Sequence, residues 1–299
     1  MGTTSLSLTE EKLKESFYQL KTRKDVAKLL EINSYQLTYH LYIYPLVEAY
    51  TTFEVPKKSG GFRLISAPKT SLKIIQHKLN QVLKSVYQPA LSTHGFTTDR
   101  SIITNAKQHL RQKYVLNIDL KDFFPSINFG RIRGIFLSFP YNCTEEVATV
   151  LSQICCYDNQ LPQGAPTSPI VSNMICAKLD SQLQQLAKKY QCIYTRYADD
   201  ITFSTSKQSF PSHLAWFSGE SDKIVLGSHL EKVIEDNGFI INDLKVRLQR
   251  KDEHQEVTGI TVNEKLNVKQ KYIRPEVLNH SLNIDLKTLP KSLRIVIDR

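Results

Sequence analysis

The chain has 299 residues, 41% of them hydrophobic, which is enough for one large or two modest domains with a core of their own. Its apolar runs fall far short of the roughly 18 residues of a membrane span, its first residues lack the basic start and apolar stretch of a secretory signal, and its five cysteines form no CxxC pair. Membrane helices, a disulfide framework and a zinc ribbon are therefore excluded, and the formal charge of +10 points instead to a polyanionic partner, because basic proteins gain affinity by releasing the counterions of nucleic acid.

In chain order, residues 8–50 place Leu13, Phe17, Leu20, Val26, Leu29 and Leu30 at helical spacing, followed by an aromatic-rich stretch ending at Pro45, which predicts two or three helices. From residue 51 the pattern changes to short strands: Phe53 and Val55, then Phe62, Leu64 and Ile65, flank Gly60-Gly61 and predict a hairpin. A helix from about Ser71, its expected N-cap, to Val86 has Leu72, Ile75, Leu79 and Val82 on one face. Residues 114–120 read as a buried strand that delivers Asp119 at its end, and residues 168–190 as a long helix. Two strands over residues 192–203 hinge at Ala198-Asp199-Asp200. A Ser-rich surface insertion around Trp216 follows, then a helix ending at Asn237-Gly238 and a last hairpin over about residues 257–268. Cys155-Cys156 is expected to be buried rather than to bind metal. Gly2 is discounted as a lipid anchor because no second membrane signal accompanies it, and the expected address is the cytoplasm.

Tyr197-Ala198-Asp199-Asp200 is the pivot. With 14 Tyr and 14 Asp in the chain, composition alone produces a Tyr-x-Asp-Asp run only about 0.03 times. An Asp pair can serve as mere turn chemistry. Between two apolar strands, however, adjacent carboxylates repel one another unless cations neutralise them, and oxygen-only ligands select Mg²⁺ or Mn²⁺. A two-metal site, with ions about 3.5–4 Å apart, needs a further carboxylate from another strand, and Asp119 supplies it.

Asp119-Leu120-Lys121-Asp122-Phe123-Phe124, Leu161-Pro162-Gln163-Gly164-Ala165-Pro166-Thr167-Ser168-Pro169 and Tyr197-Ala198-Asp199-Asp200 resemble motifs A, B and C of reverse transcriptases, in that order. The resemblance spans roughly residues 50–265. It implies an α+β right-hand polymerase, with an N-terminal helical segment (1–50), fingers and palm (51–265) and a reduced thumb (266–299) built around Leu278, Leu282, Ile284, Leu286, Leu289 and Leu293. Two metal ions are expected at Asp119, Asp199 and Asp200 with Leu120 beside them, and Leu120 also borders the nucleotide. Phe124 matches a steric gate against the ribose 2′-hydroxyl, although Phe123 and Phe124 also read as ordinary core. Gln163 matches a contact to the incoming sugar, and Arg63 with Lys57 or Lys58 matches the cations that hold the triphosphate. Gly238-Phe239-Ile240-Ile241-Asn242 with Lys245 resembles motif D, whose Lys protonates the departing pyrophosphate.

Two further runs, Asn105-Ala106-Lys107-Gln108-His109 and Val257-Thr258-Gly259, resemble the signatures of the retron branch. Read alone, Asn105 and His109 also fit a structural pair on one helix face. The retron resemblance implies that Asn105, His109, Val257, Thr258 and Gly259 contact RNA or primer. It further implies a cognate structured noncoding RNA, dNTPs, a branched RNA–DNA product primed from a guanosine 2′-hydroxyl, and an effector protein in antiphage defence. The competing readings are a group II intron-like or diversity-generating reverse transcriptase, and a non-catalytic nucleic-acid scaffold. Retention of all three carboxylates ranks the scaffold last.

Overall fold

A computed structural model describes residues 3–57, 60–219 and 223–268. The chain begins with α1 (Glu10–Tyr18), α2 (Arg23–Leu29), α3 (Ser34–Thr38), a π-helical turn (Tyr39–Ile43) and α4 (Leu46–Ala49), followed by β1 (Tyr50–Pro56), β2 (Phe62–Pro68) and α5 (Thr70–Val86). Next come α6 (Ile102–Gln108), β3 (Tyr114–Lys121), α7 (Phe129–Leu137), α8 (Glu145–Cys155) and α9 (Ser168–Tyr190). The hairpin β4 (Ile193–Tyr197) and β5 (Asp200–Thr205) precedes β6 (Ala215–Phe217), β7 (Ile224–Leu226) and α10 (Ser228–Asp236). After β8 (Ile240–Ile241) and a 3-10 turn (Asp243–Lys245), the described chain ends in β9 (Arg247–Arg250), β10 (Glu256–Val257), β11 (Ile260–Thr261) and β12 (Asn267–Val268). Among the described residues every strand ladder is antiparallel, and with the helices this is the expected α+β class. The tail expected as a thumb lies outside the described residues beyond position 268, as does Lys58.

Several helices start where a side chain can satisfy their first amides. Thr22 and Asp25 form a reciprocal capping box on α2, Ser101 and Thr104 do the same on α6, and Asn128 and Thr144 cap α7 and α8. One expectation fails here: α5 begins at Thr70, after Lys69 and without a side-chain cap, so Ser71 sits inside the helix. The backbone explains the shift. Lys69 is still extended, and its amide donates to the Ala49 carbonyl at 2.8 Å, which fixes the point where the chain turns into the helix.

The described residues form two compact units interleaved in sequence, those up to Pro89 with Asp122–Ala177, and Ala90–Lys121 with those from Lys178 onward. In the first unit α5 buries Leu72, Ile75, Leu79, Val82 and Leu83, each worth about 1.5–3 kcal/mol when withdrawn from water. Gln76 on the same helix is wholly buried and donates to the Tyr50 hydroxyl and the Ile154 carbonyl, both at 2.8 Å. Tyr50 stacks on Tyr157 at 4.1 Å.

The second unit is organised by a sheet in the order β4-β5-β3-β8, with β9 pairing along the first half of β3. As its central strand, β3 buries Val115, Leu116, Ile118, Asp119 and Leu120, the near-continuous burial of a strand covered on both faces. A separate core joins Ala106 of α6 and Val115 to Val257, Ile260 and Val262 of the β10–β11 segment.

Candidate functional site

The pairing of β3 with β5 sets Asp119 directly opposite Asp200, and the Leu120 amide donates to the Asp199 carbonyl at 3.0 Å. The β4–β5 hairpin closes through Tyr197 and Asp200 with only Ala198 and Asp199 between them, and Ala198 takes a left-handed φ of 55°. Two strands and one tight turn thus bring the three carboxylates to one end of the sheet. Asp119 is only 8% exposed. Its Oδ1 accepts from the Lys245 ammonium at 2.8 Å and its Oδ2 from the Asn242 side-chain amide at 3.0 Å, while the Asn242 backbone amide donates to the Asp119 carbonyl at 2.9 Å. β8 makes this possible by pairing Ile241 with Leu120, so the chain leaves the sheet beside Asp119 and turns Lys245 back towards it.

The electrostatics follow from this crowding. Burial, and then the Asp199 and Asp119 carboxylates, push the Asp200 carboxyl well above the ordinary carboxylate range, against the opposing pull of Lys245 and Arg247. Lys245 is held above its usual value, first by its hydrogen bond to Asp119. A donor set made only of carboxylate oxygens, mutually repelling and partly desolvated, has the chemistry of a hard divalent cation site. Among the described residues, no group of three or more His, Cys, Asp or Glu side chains is drawn together as a metal cage, and both Asp119 oxygens are engaged by Asn242 and Lys245.

The nucleotide-contact candidates Arg63, Phe124 and Gln163 belong to the first unit, whereas Leu120 sits in the second, 1% exposed beside Asp119. The Ser66 amide donates to the Gln163 carbonyl at 2.7 Å, tying the loop before α9 to β2, the strand that carries an exposed Arg63. Gly164 has a φ of 117°, and a Cβ there would press on Ile65 and the Ser66 carbonyl, so this tie requires glycine. Phe123 is buried, while Phe124 is half-buried and meets it edge-on at 5.3 Å.

A match to the family model for reverse transcriptase (RNA-dependent DNA polymerase) covers residues 55–262 and contains all three carboxylates. The chain belongs to the reverse transcriptase family. It is 35% identical over 268 residues to the retron Mx65 reverse transcriptase of Myxococcus xanthus, covering 83% of this chain and 60% of that protein. It is 36% identical over 248 residues to the retron Ec86 reverse transcriptase of Escherichia coli, covering 80% and 72%. These matches agree with the retron resemblance of the sequence. A telomerase from Candida albicans aligns with a TM-score of 0.49 and 11% identity over 74% of this chain and 46% of that one, too slight a likeness to argue from.

Two retron-signature residues of this reverse transcriptase have no surface to offer RNA. His109 is fully buried, with Nδ1 at 2.7 Å from the Ser204 hydroxyl and Nε2 at 2.7 Å from the Thr195 hydroxyl, so it fastens the end of α6 to β4 and β5. Asn105 is also fully buried, and its amide donates to the Thr258 hydroxyl at 3.4 Å. Neither side chain reaches the surface in this structure. Helical spacing alone does not say which face of α6 packs inward. Val257 is buried core as well, whereas the turn residues Thr258 (φ 47°) and Gly259 (φ 86°) are half-buried and exposed. The sequence places Asn242 in the run resembling motif D but does not show it as a partner of Asp119, which lies 123 positions away.

Proposed function

We propose that this chain is an RNA-directed DNA polymerase of retron type, with Asp119, Asp199 and Asp200 as its catalytic carboxylates. The observation that carries the reading is the register of Asp119 opposite Asp200 across β3 and β5, inside the region that matches the family. Two divalent ions, Mg²⁺ or Mn²⁺, supply Lewis acidity to the primer hydroxyl and neutralise the leaving pyrophosphate when bound. The protein's own part is positioning. Asn242 and Lys245 hold the Asp119 carboxylate in one orientation, and the Ala198-Asp199 turn presents two carboxylates beside it. Lys245, held above its usual value and so protonated at neutral pH, serves in this reading as the proton donor of the reaction. Arg63 and Gln163 hold the triphosphate and sugar of the incoming dNTP, and Phe124 excludes a ribose.

In this reading the template is a structured noncoding RNA. Synthesis starts from a guanosine 2′-hydroxyl, the product is a branched RNA–DNA hybrid, and the system acts in antiphage defence in the cytoplasm with an effector protein. Among the described residues no helix is long and apolar enough to cross a membrane. The α6 fastening by His109 and Asn105 then presents the Thr258-Gly259 turn to RNA indirectly. Coexpression with the noncoding RNA encoded beside the gene is the test. DNA joined through a 2′-linked guanosine, and released by a debranching enzyme, is expected. Product found only as linear extension of a supplied 3′ end contradicts the retron part and leaves the polymerase part standing.

A further inference from the structure

The largest fully buried side chain in the described chain is not apolar. It is Arg196, in β4, two residues before the carboxylate turn. Its Nε and Nη2 donate to Oδ1 and Oδ2 of Asp180, both at 2.7 Å, in a two-pronged ion pair with both side chains at or below 1% exposure. Asp180 is satisfied further by the Tyr194 hydroxyl at 2.6 Å and the Thr93 hydroxyl at 2.8 Å. The remaining arm, Nη1, donates to the Ala198 carbonyl at 2.9 Å. That carbonyl belongs to the one residue of the Tyr197–Asp200 run with a left-handed backbone, a conformation that alanine adopts only under strain.

The same turn is gripped from the side of residues 92–95. The Arg196 amide donates to the Ser92 carbonyl and the His94 amide to the Arg196 carbonyl, each at 2.8 Å. A Cβ on Gly95 would fall 2.3 Å from the Ala198 nitrogen, a distance no side chain can occupy. An ion pair this deep is a poor source of stability, because desolvation offsets its attraction and well-packed apolar residues do as well or better. Its geometry is better explained by specificity: one guanidinium reaches both an anchor and the strained turn.

We propose that Arg196, anchored by Asp180, is a positioning residue of the polymerase site, holding the Ala198 carbonyl and thereby fixing the left-handed turn that presents Asp199 and Asp200. It touches neither substrate nor metal and acts only through the turn. The proposal rests on the polymerase reading above. Its first readout, amide hydrogen exchange at residues 197–200 in the purified chain, does not depend on activity.

Two variants carry the test. Arg196→Met with Asp180→Leu replaces the pair by apolar groups of similar bulk, and Arg196→Lys keeps the charge while losing the fork that reaches two acceptors at once. Each is expected to keep its fold by circular dichroism, to exchange the turn amides at least about tenfold faster, and to lose about tenfold or more in kcat for primer extension with an unchanged KM for dNTP. Adding Ala198→Gly, which accepts the positive φ without strain, should return a good part of the kcat of Arg196→Lys. If the double variant does not fold, Arg196→Lys and its glycine rescue decide alone. Wild-type exchange and kcat in folded Arg196→Lys, or no recovery on adding glycine, overturns the proposal. Loss of activity with unchanged exchange overturns it too. Asp199→Asn serves as the control: if that variant retains activity, it is the polymerase reading that has failed.

Discussion

Acid is expected to destabilise the second unit through His109. The ring is fully buried, with one nitrogen against the Ser204 hydroxyl and the other against the Thr195 hydroxyl, and no carboxylate is among these partners to offset a charge on it. Burial, reinforced by the neighbouring His94, depresses its pKa from 6.5 to about 3. The unfolded chain therefore binds a proton that the folded chain refuses. The stabilisation is fully present above pH 6.5 and is lost as pH falls from 6.5 towards 3, at about 1.4 kcal/mol per unit. The loss is about 2 kcal/mol at pH 5 and about 5 kcal/mol in full, an amount comparable with the whole stability of many domains. His94, depressed to about 4 by burial and by Arg100, adds in the same direction. Urea denaturation at pH 7.5, 6 and 5 measures it. His109→Gln, which keeps a donor and an acceptor but does not titrate, should lose about 2 kcal/mol less than wild type between the extremes. Parallel losses in the two proteins, or an NMR titration placing His109 near 6.5, would refute the reasoning.

Phe124→Val should raise ribonucleotide incorporation relative to deoxynucleotide by about tenfold or more in single-nucleotide extension, and unchanged discrimination would return Phe124 to plain core. Gly95→Ala forces a methyl group onto the Ala198 backbone and should cost about 1–3 kcal/mol in thermal unfolding along with a fall in extension rate. Wild-type values of both would show that the turn has room.

What the sequence disclosed follows from the range of the interactions. The β4–β5 hairpin was legible because apolar alternation and a two-residue turn are local signals, and β3 because Asp119 ends an apolar strand. α9 was legible over its whole length, Ser168–Tyr190, from its helical spacing. The pairing of β8 and β9 with β3 was not, since strands of two and four residues show no periodicity. Arg196 and Asp180 are 16 residues apart on different elements, and nothing local in the sequence joins them; only their shared burial reveals the pair. His109 shows the converse. Its spacing from Asn105 was visible, but the inward direction of that face depends on Ser204 and Thr195, about 90 positions away.

The central claim is that Asp119, Asp199 and Asp200 form one metal-dependent polymerase site. Asp199→Asn keeps the shape of the turn and removes one charge, so it tests the claim most directly in primer extension on an RNA template with Mg²⁺ and dNTPs. The expected outcome is a folded protein, with RNA binding retained and DNA synthesis reduced by at least about a thousandfold. A folded Asp199→Asn variant that extends the primer at near wild-type rate would contradict the account.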